Sequence, residues 1–458
     1  MSASAELGRL RAALRRSPRL GERWLWGARR ELALADIAQG TALGGALAGL
    51  AGASVLVRVE DPLFAAMALI ELDGVARRIV LSPPDLQDAS LPDVIGRAEI
   101  DAVVADAALD GAGAPIVRMA LPAGPLAEAS AADQETQWVM FTSGTSGPPK
   151  MVAHTLAGLT GAIKPPTGEP PLWATFYDIR RYGGLQILLR ALLGEGSLAL
   201  TAPDEPMADF LVRLGSLGAT HVTGTPSHWR RVLMTPEAAA LSPRYVRLSG
   251  EIADQAVLDA LQARFPGVPV GHAYASTEAG VGFEVTDGLE GFPASFVGGL
   301  AEVDLKVADG ALRLRSRRTA GGYVGQTETA LLDDEGFVDS GDMVELRGDR
   351  YHFVGRRGGV INIGGLKVHP EEVEAVINRH PAVRMSLVRG RRNPITGALV
   401  VADVVLNDGA GVDEIALKRE ILEDCRASLP AHKAPTALRF ISALVMTAGG
   451  KLERASAV

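Results

Sequence analysis

Residues 138–150 read Trp-Val-Met-Phe-Thr-Ser-Gly-Thr-Ser-Gly-Pro-Pro-Lys, and this stretch indicates both a strand and the loop that follows it. The apolar residues 138–141 predict a buried strand. From Thr142 onward the stretch consists of hydroxyl residues, glycines and prolines, and its last residue is Lys150. Glycine lets backbone N–H groups approach an anion closely, hydroxyl groups add donors, and lysine adds a positive charge. The stretch therefore predicts a phosphate-binding loop.

Two other interpretations of this loop are less consistent with the residues. The spacing of Gly144 and Gly147 differs from that of a Walker A loop, and no hydroxyl residue follows Lys150. A surface linker rich in serine and glycine is the other alternative. The apolar strand directly in front of the loop and the lysine at its end argue against a linker.

The composition is that of a globular protein, and the length predicts more than one domain. A chain of 458 residues exceeds the size of a single hydrophobic core and predicts two or three domains. Apolar residues make up 47% and charged residues 22%. The net charge of −8 argues against nucleic acid as a partner and favours a cytoplasmic location. A single cysteine, Cys425, excludes an internal disulfide and fits a reducing compartment.

No segment is predicted to be a membrane span or a targeting signal. Residues 41–57 are uncharged but short for a bilayer, and charged residues follow at Arg58 and Glu60, so we expect a buried strand or helix. The N-terminal region resembles a transit peptide in its arginines, whereas Glu6, Glu22 and Glu31 are atypical of one. An amphipathic helix explains the arginines equally well.

The order of predicted elements indicates an α/β protein. Between residues 52 and 120, β-branched runs alternate with helical stretches, which predicts βαβ units and a parallel sheet covered by helices. The strands are expected at 53–58, 76–81, 102–105 and 116–119, with helices at 62–73 and 93–98. A second block is expected to have strands at 197–200, 221–223, 245–248 and 268–272 and helices at 183–193, 207–217 and 252–264.

The last third of the chain predicts a small antiparallel sheet and a separate domain. Residues 303–355 alternate on a two-residue period, as in a half-exposed antiparallel sheet. The segment Gly355-Arg-Arg-Gly-Gly359 marks a boundary. We therefore predict a large N-terminal domain, 1–355, of parallel-sheet α/β subdomains plus a small antiparallel sheet or barrel. A small mobile α+β lid domain, 356–458, completes the predicted fold.

The loop at 142–150 resembles the phosphate loop of the adenylate-forming superfamily, which includes acyl-CoA and aryl-CoA synthetases, peptide-synthetase adenylation domains and luciferases. Three further motifs follow in the family's order: Tyr274-Ala-Ser-Thr-Glu278, Asp339-Ser-Gly-Asp342 with Gly355-Arg356, and Thr447-Ala-Gly-Gly-Lys451. The resemblance begins near residue 40 and is strongest to a stand-alone acyl- or aryl-CoA ligase. It implies ATP-dependent activation of a carboxylic acid to an acyl-adenylate, release of pyrophosphate, and transfer to the thiol of CoA.

The resemblance also assigns the ATP side of the site. The reaction joins two anions, so cations must neutralise and align them. Thr142, Lys150, Glu278 and Lys451 are the implied catalytic residues, and Glu278 would hold Mg²⁺. Similarity places Tyr274 on the adenine, Thr277 on the α-phosphate, and Asp342 and Arg356 on the ribose. The other implied ATP- or AMP-binding residues are Ser143, Gly144, Thr145, Ser146, Gly147, Gly250, Glu251 and Ser276.

Each of these motifs also has a plain structural interpretation when it is considered alone. The sequence Ser276-Thr277-Glu278 would equally predict a helix cap, and Asp342 a turn aspartate. Lys451 lies seven residues before the C-terminus and would be a solvated lysine on an exposed tail. The order of the motifs along the chain favours function in all three cases.

The acid-binding pocket is predicted from small residues and one aromatic residue. Glycine and alanine would leave room for the acid, and Tyr177 would form a wall unless it is an ordinary core residue. Asp178 is the one acidic residue that keeps an amino-acid substrate open. Arg180 and Arg181 are interpreted as residues of a solvated loop. The predicted pocket residues are Tyr177, Gly184, Thr223, Ala273, Ala275 and Gly280.

The lid and the thiol acceptor complete the prediction. At the hinge, the family carries Asp or Lys, whereas this chain has Gly358. The resemblance places Gly364 and Gly365, which follow the hinge, against the pantetheine channel. A plain β-turn is the alternative for these two glycines. The predicted partners are a small-molecule carboxylic acid and CoA, with no nucleic acid and no membrane, and a homodimer is left open. Two alternatives remain: an enzyme that loads a carrier-protein phosphopantetheine, and a catalytically silent nucleotide-binding protein.

Overall fold

The computed structural model describes residues 10–109, 113–121, 124–125, 134–142, 150–164, 168–325, 330–363, 365–393, 397–407, 413–447 and 450–454. The predicted phosphate-loop residues Ser143, Gly144, Thr145, Ser146 and Gly147 lie outside the described residues, as does Gly364.

The helices of the described residues are numbered in chain order. They are α1 Leu10–Arg16, α2 Leu34–Gln39, α3 Ala46–Gly49, α4 Pro62–Leu72, α5 Leu91–Ala98, α6 Leu156–Thr160, α7 Tyr182–Leu193, α8 Met207–Leu217, α9 Pro226–Met234, α10 Gln255–Arg264, α11 Pro370–Ile377 and α12 Glu414–Ser428. Short 3₁₀ helices occur at Leu20–Glu22, Asp88–Ser90, Pro236–Ala240, Ala294–Phe296 and Arg357–Gly359.

The strands are numbered in the same way. They are β1 Trp24–Trp26, β2 Glu31–Ala33, β3 Gly40–Thr41, β4 Ser54–Val57, β5 Arg78–Leu81, β6 Ala102–Ala105, β7 Ile116–Arg118, β8 Gly124–Pro125, β9 Gln137–Phe141, β10 Met151–Thr155, β11 Leu172–Thr175, β12 Ser197–Leu200, β13 His221–Gly224, β14 Tyr245–Ser249, β15 Val270–Ser276, β16 Gly280–Val285, β17 Phe292–Pro293, β18 Val303–Ala308, β19 Ala311–Ser316, β20 Gly322–Tyr323, β21 Val338–Arg347, β22 Arg350–Arg356, β23 Ile361–Ile363, β24 Leu366–Val368, β25 Val383–Asn393, β26 Gly397–Leu406 and β27 Ala437–Phe440.

The first α/β sheet carries the strand that leads into the predicted phosphate loop. Its strand order is β20-β10-β9-β5-β4-β6-β7, and the pairs from β9 to β7 are parallel. Strand β10 returns antiparallel to β9, with Phe141 opposite Met151. The predicted buried strand and the βαβ units are confirmed, and the two ends of the loop are held side by side.

The second α/β sheet brings three loops to one edge. Its order is β16-β15-β14-β13-β11-β12-β1-β2, and β13, β14 and β15 run parallel. Ligands bind at the carboxyl ends of such strands. Thr225, Gly250 and Thr277 follow the carboxyl ends of these three strands. Helix α9 was not predicted; it begins at Pro226 behind a capping box of Thr225 and His228.

The N-terminal sheets share one core. Helix α4 begins at Pro62, where the Asp61 side chain accepts a hydrogen bond from the Leu63 N–H group (2.8 Å). Because α4 packs between the sheets, nearly all of its residues are buried. The shared cluster joins α4 and α7 to strands of both sheets, including β4, β5 and β12. The buried strand expected within 41–57 is β4.

The remaining described residues form an antiparallel sheet and a C-terminal α+β unit. The sheet order is β17-β22-β21-β19-β18, with Asp342 on β21 opposite Arg356 on β22. Strands β23 to β27 pack with α11 and α12 around a separate apolar core. The predicted α/β fold class, with a small antiparallel sheet and a small C-terminal unit, is confirmed. Across the described ranges, every helix is too short or too polar to cross a bilayer.

Candidate active site

The base of the predicted phosphate loop lies beside Glu278. The N–H group of Thr142 donates to the carbonyl oxygen of Lys150 (3.0 Å), which closes the loop between β9 and β10. The Nζ atom of Lys150 lies 5.5 Å from the centre of the Tyr323 ring. Burial raises the pKa of Tyr323, and the nearby charge of Glu278 adds to this effect. The lysine and the glutamate therefore approach the same tyrosine.

Glu278 lies in a polar cavity, and its role as a metal ligand stays a prediction. It lines a cavity of about 170 Å³ together with Ser276, Tyr323, Asp339, Ser340 and Arg356. Its carboxylate has no hydrogen-bond or ion-pair partner among the described residues. Mg²⁺ takes one or two carboxylates together with phosphate oxygens and water. A free carboxylate in a polar cavity fits this ion.

Asp342 is held by Tyr274 and Arg356. The Tyr274 hydroxyl donates to Oδ2 of Asp342 (2.6 Å), and Nε of Arg356 donates to Oδ1 (2.9 Å). Each carboxylate oxygen keeps a further lone pair, so the group can still accept two hydroxyl protons. This geometry fits the ribose contact that the resemblance implies, and Arg356 lies directly opposite Asp342 on the neighbouring strand.

The Tyr274 ring lies in an aromatic cluster. It is stacked on Phe283 (centroids 5.5 Å apart, planes at 16°) and on Phe353 (5.2 Å, 7°). Burial raises the pKa of Tyr274, and the charge of Asp342 raises it further, so the hydroxyl remains a donor. These contacts fix the ring in place; its stacking on adenine stays a prediction.

The segment 274–278 is positioned by a histidine that sequence analysis missed. Nε2 of His154, on β10, lies 2.7 Å from the carbonyl oxygen of Thr277. Burial lowers the pKa of His154 to about 4, so the ring is neutral at neutral pH and its N–H group donates. The hydroxyl of Ser276 accepts from the N–H group of Ala279 (2.9 Å) in a turn before β16. The alternative of a helix cap was wrong.

Lys451 is not on an exposed tail, and that expectation was wrong. Its loop is closed by the N–H group of Thr447, which donates to the Lys451 carbonyl oxygen (2.8 Å), and it lies against the end of β14. A Cβ atom built on Gly250 would lie 3.3 Å from Cε of Lys451. Burial lowers the pKa of Lys451, and the charge of Glu251 opposes this shift.

We call the segment from Thr447 to Leu452 the lysine loop. Three residues at the carboxyl edge of the second sheet hold this loop: Thr225, His228 and Glu251. Together with Gly250, we call them the lysine dock. The Thr225 hydroxyl donates to the Gly450 carbonyl oxygen (2.8 Å). The carboxylate of Glu251 accepts from the N–H groups of Leu452 (3.0 Å) and Ser227 (3.0 Å). His228 packs so closely on Gly450 that a Cβ atom there would lie 1.9 Å from Cε1 of the ring.

Sequence analysis found only part of the dock. Thr225 and His228 were missed because helix α9 was not predicted. Glu251 was predicted to bind nucleotide, but both of its carboxylate oxygens already have protein partners in this structure. Its contact with nucleotide stays a prediction.

The other side of the lysine loop is fixed to the C-terminal unit. Arg454 donates from NH1 and NH2 to the two carboxylate oxygens of Glu374 (2.8 and 2.6 Å). Glu374 lies on α11 and is buried. Paired hydrogen bonds between arginine and carboxylate are strong and geometrically specific. The loop is therefore held between α11 and the lysine dock.

The predicted acid pocket stays a prediction, and the structure gives a different explanation for two of its glycines. The Tyr177 hydroxyl donates to the Ser249 carbonyl oxygen (3.0 Å). A Cβ atom on Gly184 would lie 2.1 Å from the carbonyl oxygen of Asp178, and one on Gly280 2.4 Å from that of Arg318. These glycines allow close backbone approach rather than room for the acid. Ala273 lies opposite Ser249 on the neighbouring strand, and Ala275 lies two residues beyond it.

Asp178 and Arg180 form a paired set of hydrogen bonds. Nε and NH2 of Arg180 donate to the two oxygens of Asp178 (2.8 and 2.5 Å). Arg180 is only 2% exposed and also donates to the Val59 carbonyl oxygen. The interpretation of Arg180 as a solvated residue was wrong. Arg181 pairs with Asp85 near the surface.

The predicted thiol side lies in a hairpin turn. Gly365 connects β23 to β24 with φ +90°, and no atom lies within 4 Å of a Cβ atom built on it. Gly358 lies in the 3₁₀ helix Arg357–Gly359, and Arg357 donates to Asp339 (3.0 Å). The turn and the open space are both present; the pantetheine contact stays a prediction.

Comparison with known proteins agrees with this geometry. The family model described as AMP-binding enzyme matches residues 48–343, and the one described as AMP-binding enzyme C-terminal domain matches residues 372–451. The chain belongs to the AMP-binding enzyme family. Both matched regions contain predicted site residues, including Glu278 in the first and Lys451 in the second.

Three curated relatives show the range of names in the family. The 2-succinylbenzoate–CoA ligase of Listeria innocua is 28% identical over 333 residues, covering 70% of this chain and 69% of the relative. The probable 2-succinylbenzoate–CoA ligase of Mycobacterium tuberculosis is 29% identical, covering 71% and 85%. The mitochondrial acyl-coenzyme A synthetase ACSM2 of Rattus norvegicus is 27% identical, covering 70% and 61%.

Solved structures share the fold over almost the whole chain. The anthranilate CoA ligase AuaEII in complex with anthranoyl-AMP has a TM-score of 0.81 at 18% identity, covering 97% of this chain and 95% of that chain. The amide bond synthetase McbA from Marinactinospora thermotolerans has a TM-score of 0.79 at 22% identity, covering 97% and 98%.

Proposed function

We propose that this chain is an AMP-forming acid–thiol ligase that converts a carboxylic acid to an acyl-adenylate and then to a CoA thioester. The observation that carries the proposal is the position of Lys451. Its ammonium group is near Glu251, Asp342 and Arg356, between the predicted ribose site and the wall of the acid pocket. A half-buried lysine at this junction would meet both reacting anions. The names of the curated relatives support the reaction class.

In the first half-reaction, an oxygen of the acid forms a bond to the α-phosphorus of ATP. The bond between the α- and β-phosphates breaks, and pyrophosphate leaves. Lys451 holds a positive charge where the two anions meet, and preorganised charge of this kind stabilises the transition state. Thr142 and Lys150 hold the phosphates at the loop, while Asp342 holds the ribose. Mg²⁺ bound at Glu278 would neutralise phosphate charge.

In the second half-reaction, a thiol attacks the acyl carbon, the bond to AMP breaks, and AMP leaves. Lys451 occupies the reacting centre in the docked state, so the lysine loop must leave before the thiol arrives. We assign this movement to a lid, 356–458, that turns on the large domain, 1–355. CoA is the acceptor that the relatives' names support. Residues Gly364 and Gly365 would then line its pantetheine channel, and a carrier-protein arm is the alternative acceptor. We assign the enzyme to the cytoplasm because Cys425 is buried and unpaired.

The test separates the half-reactions. Pyrophosphate release is screened across carboxylic acids with and without CoA. Lys451→Ala should lose at least about 100-fold in ATP–pyrophosphate exchange, because removing one preorganised charge-stabilising group typically costs that much. It should still convert a supplied acyl-adenylate to thioester. Lys418→Ala, on the exposed face of α12, is the matched control. Unchanged exchange in Lys451→Ala would refute the assignment.

A further inference from the structure

A group of charged residues lies directly beneath the wall of the acid pocket. On β14, Ser249 and Arg247 are two residues apart, so their side chains lie on the same face of the sheet. Ser249 is opposite Ala273, which is in turn opposite Glu284. Arg247 is opposite Thr223. The charged residues therefore share rows of the sheet with predicted pocket residues: Glu284 lies beside Ala273, and Arg247 lies beside Thr223.

This group contains more positive than negative charge. NH1 of Arg247 lies 3.3 Å from Oε1 of Glu284, and the Tyr245 hydroxyl donates to the same carboxylate. Arg190 on α7 approaches them without a hydrogen-bond or ion-pair partner in the described part of the chain. Burial lowers the pKa of Arg190 to about 10, and the charge of Arg247 is the next cause. Two guanidinium groups thus share one carboxylate.

Arg190 also lines a cleft at the amino ends of β13 and β14, at the edge of the sheet opposite the lysine dock. The cleft has a volume of about 340 Å³ and is lined by Ile163, Lys164, Glu169, Pro171, Trp173, Arg190, Gly194, His221 and Arg244. Its acid, Glu169, is paired with Arg244 (2.5 Å). Trp173 is 8% exposed, and its Nε1 has no partner within the described ranges. Arg190 is half-buried and lines this cleft, so solvent can approach its charge from that side.

We infer that the acid substrate carries a second anionic group at the end remote from the reacting carboxylate, and that Arg190 with Arg247 binds it. This inference rests on the proposed ligase function. A guanidinium group binds a carboxylate through paired hydrogen bonds, whereas an apolar acid tail would exclude water from Arg190 without giving it a partner. Dicarboxylates are therefore the expected class of substrate.

The sheet sets the expected length of the substrate. Arg247 lies two residues below Ser249, or about 7 Å along the strand at 3.3 Å per residue. Tyr245 lies two residues further, about 13 Å from Ser249 on the same scale. The second anionic group is therefore expected about 7–13 Å from the reacting carboxylate.

The test compares acids of equal length with one or two carboxylates. Pyrophosphate release is measured for hexanoate against adipate, octanoate against suberate, and decanoate against sebacate. We expect the wild-type protein to have the higher kcat/KM for the diacid in at least one pair. In Arg190→Met the diacid-to-monoacid ratio of kcat/KM should fall at least tenfold, mainly through KM. In Arg190→Lys this ratio should fall less, because lysine keeps the charge but loses the paired geometry.

Controls separate this inference from the proposed function. Arg419→Met, on the exposed face of α12, should leave the ratio unchanged. A monoacid preference in every pair, or an equal loss for both classes in Arg190→Met, would overturn the inference while leaving the ligase function in place. Pyrophosphate release with none of a wide panel of acids would instead refute the ligase function. Thermal unfolding of each variant shows whether it is folded.

Discussion

Gly450 is the position where a single methyl group should separate the two half-reactions. In the docked state a Cβ atom there would lie 1.9 Å from Cε1 and 2.1 Å from Nε2 of His228. Ordinary carbon contacts are about 3.5–4.0 Å, so one of the groups must move by roughly 1.6 Å or more. The positive φ of Gly450, +69°, adds strain of about 1–2 kcal/mol for any other residue.

His228 cannot easily move aside. Its ring is stacked on Phe176, with centroids 5.4 Å apart and planes at 20°. Its Nδ1 accepts from the N–H group of Thr225 (3.1 Å) as part of the cap of α9. Burial lowers the pKa of His228 to about 3, so the ring is neutral and fully packed at neutral pH. The displacement must therefore fall on the lysine loop.

We expect Gly450→Ala to lose at least about 100-fold in adenylation, because a misplacement of about 1 Å can cost that much. ATP–pyrophosphate exchange measures this step. Thioester formation from a supplied acyl-adenylate should stay within a few-fold of the wild-type rate, since the loop is then undocked. Gly348→Ala is the matched control: it has φ +62° and nothing within 4 Å of its Cβ position.

Two results would refute this reasoning. Exchange within about threefold of the wild type would show that Lys451 does not need this dock, and equal loss in both half-reactions would show a general folding defect. Combining Gly450→Ala with His228→Ala should restore part of the exchange, because the smaller side chain makes room. The double-mutant cycle measures that coupling directly.

Two further predictions concern charge. Glu251→Gln should move the alkaline limb of adenylation to lower pH: burial already lowers the pKa of Lys451, the Glu251 carboxylate opposes that shift, and its loss lets the lysine deprotonate earlier as pH rises. An unchanged limb in the pH profile of pyrophosphate exchange would contradict this. Glu278→Gln should raise the Mg²⁺ concentration needed for half-maximal exchange, because the amide keeps the shape but loses the charge that a hard cation prefers. An unaltered Mg²⁺ titration would remove Glu278 from the metal site.

Much of the fold could be predicted from the sequence because local pattern and tertiary structure agree. The apolar run at 102–105 coincides with β6, and the alternation of residues 303–355 is that of the antiparallel sheet. Helix α9 was missed because its few apolar residues gave a weak pattern. Thr225 followed by Pro226 was the available signal, since this pair is a helix cap with proline in the first position.

The site was less predictable where distant segments decide the role of a residue. Gly184 and Gly280 looked like space for a ligand, but Gly184 faces the carbonyl group of Asp178 and Gly280 faces that of Arg318, which is distant in sequence. Lys451 looked solvated because nothing near it in sequence indicates the dock on the second sheet. Arg190 and Arg247 were missed because they lie on separate elements that only the folded chain brings together.

The lysine loop is attached to helix α11 on one side and to the lysine dock on the other. These two attachments differ in strength, and the difference determines which contacts break first when the loop moves. The ion pair of Arg454 and Glu374 consists of two hydrogen bonds between charged groups, and each contributes about 1.5–3 kcal/mol. At the dock, the hydrogen bond from Thr225 contributes about 0.5–1.5 kcal/mol, and the one from Leu452 to the Glu251 carboxylate about 1.5–3 kcal/mol. The weaker contacts are therefore those with the dock. In the proposed lid movement, Lys451 would move together with the C-terminal unit. If product release at the phosphate side weakens these contacts by only a few kcal/mol, the lysine loop is freed from the dock.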